Sequence, residues 1–133
     1  MAALATAGGK RGLHAAPQML CTGTVAWLLY RTLKRRTRRL RPFRVHSGVA
    51  ARAPPVDEYG FPSGHTLHAL SFGIVAASWF PVLTLFAVLV AMSRVILGLH
   101  YPTDVLAGAA LGALLGMVSL WLEPSLLAAL AAG

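Results

Sequence analysis

The 133-residue chain has only 4 acidic residues and a single cysteine, Cys21. Carboxylates so few and so scattered provide no clustered oxygen set for magnesium or calcium, so no metal or other cofactor is expected. One cysteine supports neither a disulfide framework nor a thiolate metal site within the chain. Charged residues of both signs make up just 12% of the sequence, whereas 56% is hydrophobic and the mean hydropathy is +0.65. That balance excludes an ordinary water-soluble domain of this size and implies an integral membrane protein of one domain at most. The charge that is present is one-sided, with 12 Lys and Arg against 4 Asp and Glu and a net charge of +8. Most of it lies between Arg31 and Arg44. Such a cluster calls for an anionic partner, and beside apolar segments it reads as a topology signal or a face for anionic lipid head groups.

Taken in order, residues 1–11 read as a flexible N-terminus and 12–33 as a helix. A basic cluster follows that helix where a secretory signal would carry a small-residue cleavage site, so the helix is expected to be retained. Residues 34–61 read as a basic loop broken by Gly48, Pro54, Pro55 and Gly60, with Asp57 and Glu58 as its acids. Three further helices are expected over 62–80, 81–100 and 102–122, each opening at a proline. The expectation is an all-α, multi-pass transmembrane bundle of about four membrane helices. Gly108, Gly112 and Gly116 recur every fourth residue, which places them on one helix face where another backbone can approach closely.

Polar residues at the seams of apolar runs are costly in a membrane, and they mark function. Arg94, His100 and Asp104 stand at one such seam. Asp104 falls in the first turn of the helix opened by Pro102, near enough to hold one ring nitrogen of His100 and leave the other free to attack. Arg94 offers a planar fork of donors to an oxyanion. A second group, Pro62-Ser63-Gly64-His65, opens the helix before it. Ser63, Gly64 and the first N–H groups of that helix suit a phosphate, and His65 at its mouth suits a general acid. Each group alone also reads as helix capping or corner packing. His68, one turn beyond His65, reads as packing. Following the crossings brings the basic cluster, His65 and His100 to the same membrane face, a convergence that scattered packing residues would not produce.

These residues resemble the tripartite signature of the type 2 phosphatidic acid phosphatase superfamily: Lys34, six residues, then Arg41-Pro42; Pro62-Ser63-Gly64-His65; and Ser93-Arg94, five residues, His100, three residues, Asp104. The resemblance implies that Lys34, Arg41, Ser63, Gly64 and Arg94 hold phosphate. It also implies that His100 attacks phosphorus, His65 protonates the leaving oxygen and Asp104 orients His100. The implied activity is metal-independent hydrolysis of a lipid phosphate or pyrophosphate, of the phosphatidic acid, phosphatidylglycerophosphate or undecaprenyl pyrophosphate type, through a phosphohistidine. Haloperoxidase relatives of the same fold hold vanadate, which should therefore inhibit. Two other readings are a haloperoxidase, which a chain this apolar disfavours, and a non-catalytic membrane protein binding anionic lipid through its basic loop. The latter leaves His65, His100 and Asp104 without a use.

The expected partners are the lipid substrate and the bilayer, with no nucleic acid, and the expected location is the cell membrane. Membrane-bound members of that family usually carry at least two helices upstream of the first motif, whereas one apolar run precedes Lys34 here. Two readings follow: an incomplete N-terminus, or a short four-helix variant in which a second copy packs on the Gly108, Gly112 and Gly116 face. The distribution of Lys and Arg places the motif side toward the cytoplasm.

Overall fold

The computed structural model describes residues 10–77 and 80–132. Those residues form four long helices and one short one: α1 (Lys10–Thr37), α2 (Pro42–Val45), α3 (Gly64–Ala76), α4 (Val82–Ile96) and α5 (Pro102–Ala132). The described residues contain no strand, only an isolated bridge between Leu40 and Tyr59. The all-helical expectation therefore stands, with revised boundaries. Lys10 and Arg11 already belong to α1, and the rest of the N-terminus expected to be flexible lies outside the described residues.

Each helix boundary has a local cause. α1 runs on to Thr37, so Lys34 sits in its last turn with Arg35 and Arg36, where cations complement the helix dipole. It stops where Arg38 takes a positive φ of 47° and donates its N–H to the Lys34 carbonyl. α3 starts at Ser63, whose hydroxyl accepts from the Thr66 N–H and lies 2.9 Å from the Thr66 hydroxyl. α4 is 15 residues long and ends at Ile96, short of the expected residue 100. Gly98, at φ 71°, turns the chain there, in a conformation a side chain resists. The Leu99 and His100 N–H groups then both reach back to the Arg94 carbonyl at 3.2 Å. α5 begins at Pro102 and continues through residue 124 to Ala132, ten residues past the expected end at 122.

Packing centres on α3, which touches α5, α4 and α1. The glycine stripe of α5 makes its closest approach possible. A Cβ on Gly108 would lie 2.5 Å from the Ser63 carbonyl oxygen, one on Gly112 2.5 Å from that of Leu67, and one on Gly116 2.9 Å from Cβ of Ile74. This corrects the expectation of a dimer through Gly108, Gly112 and Gly116: the face is filled by α3 of the same chain.

The distribution of polarity is inverted relative to a soluble protein. Leu20, Leu85, Phe86, Ile96, Leu106 and Trp121 are exposed, while Gln18, Thr22, Ser63, Thr66, His100 and Asp104 are buried. An apolar exterior of this extent marks a protein that sits in a membrane. Among the described residues one helix segment, Pro102–Glu123, is long and apolar enough to cross a bilayer, and Val82–Ile96 is a shorter apolar helix.

Candidate active site

The end of the bundle where α1 finishes and α3 and α5 begin carries a cleft of about 580 Å³. Lys34 from α1, Arg41 from the following turn, Gly64 and His65 from the first turn of α3, and Arg94 from α4 all line it. Parts of the chain separated by up to 60 residues thus converge on one cavity. Ser63, His100 and Asp104 do not line it; they lie buried behind it.

Arg41 links the cleft to this buried layer. Its Nη1 donates to the Leu99 carbonyl at 2.9 Å and lies 3.1 Å from Nε2 of His100. Arginine has no lone pair to offer, so Nε2 accepts, and the neutral ring then carries its proton on Nδ1. Nδ1 lies 3.8 Å from Oδ2 of Asp104, too far for a hydrogen bond, and is buried without a partner. Asp104 instead takes two other donors. Its Oδ2 accepts from the Tyr101 N–H at 2.8 Å, as an N3 carboxylate does in a capping box, and its Oδ1 accepts from Nη1 of Arg39 at 2.9 Å. Ser63 is fixed against the same element, its N–H donating to the Asp104 carbonyl at 3.0 Å. The close contact of α3 and α5 therefore sets Ser63 beside Asp104.

Two residues with no assigned role in the sequence reading organise this site. Asp57 receives Lys34 on Oδ2 and Nη2 of Arg41 on Oδ1 at 2.7 Å, and its carbonyl accepts from Nε of Arg41 at 2.8 Å. Burial raises the Asp57 carboxyl, but the Lys34 and Arg41 hydrogen bonds outweigh it and hold the group below its ordinary 3.8. Arg39, one of many cations in its cluster, partners the fully buried Asp104, bonds Thr103 at 2.8 Å and stacks 4.5 Å over the Tyr101 ring. The only signal in the sequence for Asp57 was its rarity as an acid in a basic loop; nothing distinguished Arg39 from its neighbours. His68 lines the cleft too, with Nδ1 2.8 Å from the Gly64 carbonyl and its ring edge-on to Tyr30 and Phe72. Arg94 leaves its buried Nε without a hydrogen-bond partner.

The fold and site define a membrane-embedded helical protein with a cation-lined cleft at the start of a helix, backed by a buried histidine. The profile of the PAP2 superfamily matches residues 18–126. The chain belongs to the PAP2 superfamily. It is 36% identical over 89 residues to an undecaprenyl-diphosphatase of Sulfolobus acidocaldarius, covering 63% of this chain and 43% of that protein. It is 38% identical over 94 residues to a lipid A 1-phosphatase of Rhizobium johnstonii, covering 65% and 38%. The chain therefore spans less than half the length of either relative. Among solved structures, it is similar to the first transmembrane PAP2 type phosphatidylglycerolphosphate phosphatase from Bacillus subtilis, with a TM-score of 0.70 and 28% identity over 93% of this chain and 65% of that one.

Proposed function

We propose that the chain is a multi-pass membrane phosphatase that hydrolyses a terminal phosphate or diphosphate on a lipid through a phosphohistidine. The observation that carries this reading is the convergence of Lys34, Arg41, Gly64, His65 and Arg94 on one cleft, with Nε2 of His100 bonded to the Arg41 that lines it. The cations and the first N–H groups of α3 hold the phosphoryl oxygens, and their charge stabilises the equatorial oxygens of the transition state. Nε2 of His100 attacks phosphorus, the bond from phosphorus to the ester or anhydride oxygen breaks, and His65 supplies that oxygen with a proton. Water then attacks the phosphohistidine, His65 takes its proton, and phosphate leaves with His100 restored. Asp104, 3.8 Å from Nδ1, orients the ring once the gap closes.

A lipid substrate suits the surroundings. The cleft shares Trp27 and His68 with a second, apolar groove lined by Met19, Leu20, Gly23 and Phe72 along α1 and α3, where a hydrocarbon chain can lie while the head group meets the cations. The names of the relatives and of the solved structure cite undecaprenyl diphosphate, lipid A 1-phosphate and phosphatidylglycerolphosphate, and the head-group panel takes phosphatidic acid, phosphatidylglycerophosphate and undecaprenyl diphosphate. We place the four long helices across the cell membrane, α3 and α4 with the help of flanking residues. At about 1.5 Å per residue they fall short of the roughly 30 Å hydrocarbon core.

The test is phosphate release from that panel by detergent-purified protein, with and without chelator and vanadate, beside His100→Ala. Chelator-resistant, vanadate-sensitive release that the substitution abolishes is expected. Undiminished release from a folded His100→Ala protein rules out the phosphohistidine.

A further inference from the structure

The cleft read as a phosphate site already contains an anion of the chain's own. The Asp57 carboxylate bridges Lys34 and Arg41, one oxygen to each, and its backbone carbonyl takes Nε of Arg41. The Nε and Nη2 edge of Arg41, the fork that would grip a phosphate, is thus engaged by Asp57, while Nη1 is engaged by Leu99 and His100. Of the five N–H groups of an arginine, this leaves one. A phosphate reaches Arg41 in full only by taking the place of Asp57. The segment carrying Asp57 is suited to that exchange, since Pro54, Pro55, Val56 and Glu58 around it are all exposed.

The exchange depends on charge. A phosphodiester head group carries a single negative charge, so it gives Lys34 and Arg41 no more than the carboxylate they already hold. A terminal phosphomonoester or diphosphate carries two or more, and its surplus is also felt by Arg94, whose buried Nε has no partner. We infer that Asp57 is a specificity-determining residue: its carboxylate competes for Lys34 and Arg41 and excludes the monoanionic phosphodiester lipids of the surrounding bilayer, admitting only head groups with a terminal phosphate. In a membrane, where diesters far outnumber any substrate, such exclusion keeps the site from being filled by the solvent itself. This inference rests on the phosphatase reading.

The experiment measures hydrolysis of phosphatidic acid in neutral mixed micelles while phosphatidylglycerol, a monoanionic diester, is titrated in, for the wild-type chain, Asp57→Asn and Asp57→Glu. Wild type is expected to resist the diester, and Asp57→Asn to be inhibited competitively with an inhibition constant lower by about tenfold. Its KM for phosphatidic acid should fall as well, and Asp57→Glu, which keeps the charge, should restore resistance. If Asp57 only positions the two cations, Asp57→Asn raises KM and gains no sensitivity to the diester, and the inference fails. Competitive inhibition of the wild type by small fractions of phosphatidylglycerol overturns it without any variant. Absence of wild-type hydrolysis across the whole lipid panel removes the phosphatase reading and this inference with it, an outcome distinct from active wild type with an indifferent Asp57→Asn.

Discussion

At the scale of single residues, the fully buried Asp104 carboxylate is costly to desolvate, and Arg39 is the charged side chain that offsets it. The pair spans 2.9 Å, with Asp104 fully buried and the Arg39 side chain 40% exposed. Arg39→Ala leaves an acceptor without its charged donor, which should cost about 1–3 kcal/mol of stability. It should also lower kcat more than it raises KM, since Asp104 stands behind His100 and not against the head group. Arg39→Lys should recover much of the stability but less of the rate, because an ammonium can bond Thr103 and Asp104 from one nitrogen but has no planar group to stack on the Tyr101 ring. Thermal unfolding in detergent beside steady-state kinetics checks both. Asp57 gives a prediction in pH. Its carboxyl is lower in the folded protein than its ordinary 3.8, so the stability it contributes is full above that value and drains away as pH falls through the folded value. The acid limb of a stability profile should be flatter in Asp57→Asn than in wild type. The motif residues were legible because polar side chains stand out in so apolar a chain. Arg39 and Asp57 were not, because their roles arise from where a loop closes against α1 and α5, which no local pattern encodes.

At the scale of elements, two kinds of contact hold the bundle together, and they differ in strength. α1 and α5 meet through hydrogen bonds: Nε2 of Gln18 donates to the Ser119 carbonyl at 3.1 Å and lies 3.2 Å from its hydroxyl, which is 2.7 Å from that of Thr22. Helix-to-helix hydrogen bonds in membranes contribute only about 0.6 kcal/mol each, so Ser119→Ala should be mild. α3 and α5 meet backbone to backbone, and Gly112→Val would drive a side chain into the Leu67 carbonyl, which has nowhere to go. That change should cost about 1–3 kcal/mol or more. It should also lower turnover, because the same contact carries Ser63 to Asp104. Denaturation of both variants in mixed micelles would separate them; equal losses would mean that the glycine contact is looser than the distances indicate. Periodicity showed that the three glycines share a face but not which helix fills it. Helix ends were read less well for a related reason. The chain turns at Gly98 because of a positive φ there, and α5 runs through residue 124, and neither follows from the spacing of apolar residues.

At the scale of the whole molecule, the connections fix which ends lie together. The last turn of α1, the start of α3 and the end of α4 surround one cleft, and the start of α5, with Asp104, lies buried behind it. The end of α3 and the start of α4 therefore lie at the opposite end of the bundle, with the start of α1 and the end of α5. This arrangement was legible from the order of apolar runs and motif residues, because a chain that crosses back and forth returns to each face on alternate turns. The cleft end also carries Arg31, Arg35, Arg36 and Arg38, all exposed, and it keeps this excess even when Lys34, Arg41 and Arg94 are set aside. The bias of membrane insertion toward cytoplasmic Lys and Arg predicts a cleft that faces the cytoplasm. Single cysteines read this directly once the exposed Cys21 has been replaced by serine. Ala51→Cys, in the loop at the cleft end, should resist a membrane-impermeant maleimide in intact cells, and Pro81→Cys, at the far end, should react. Labelling in the reverse sense would turn the molecule over without altering the fold, and the exposed arginines at the cleft end would then not act as the topology signal. Labelling of both positions from one side would instead break the alternate-crossing arrangement on which the shared cleft depends.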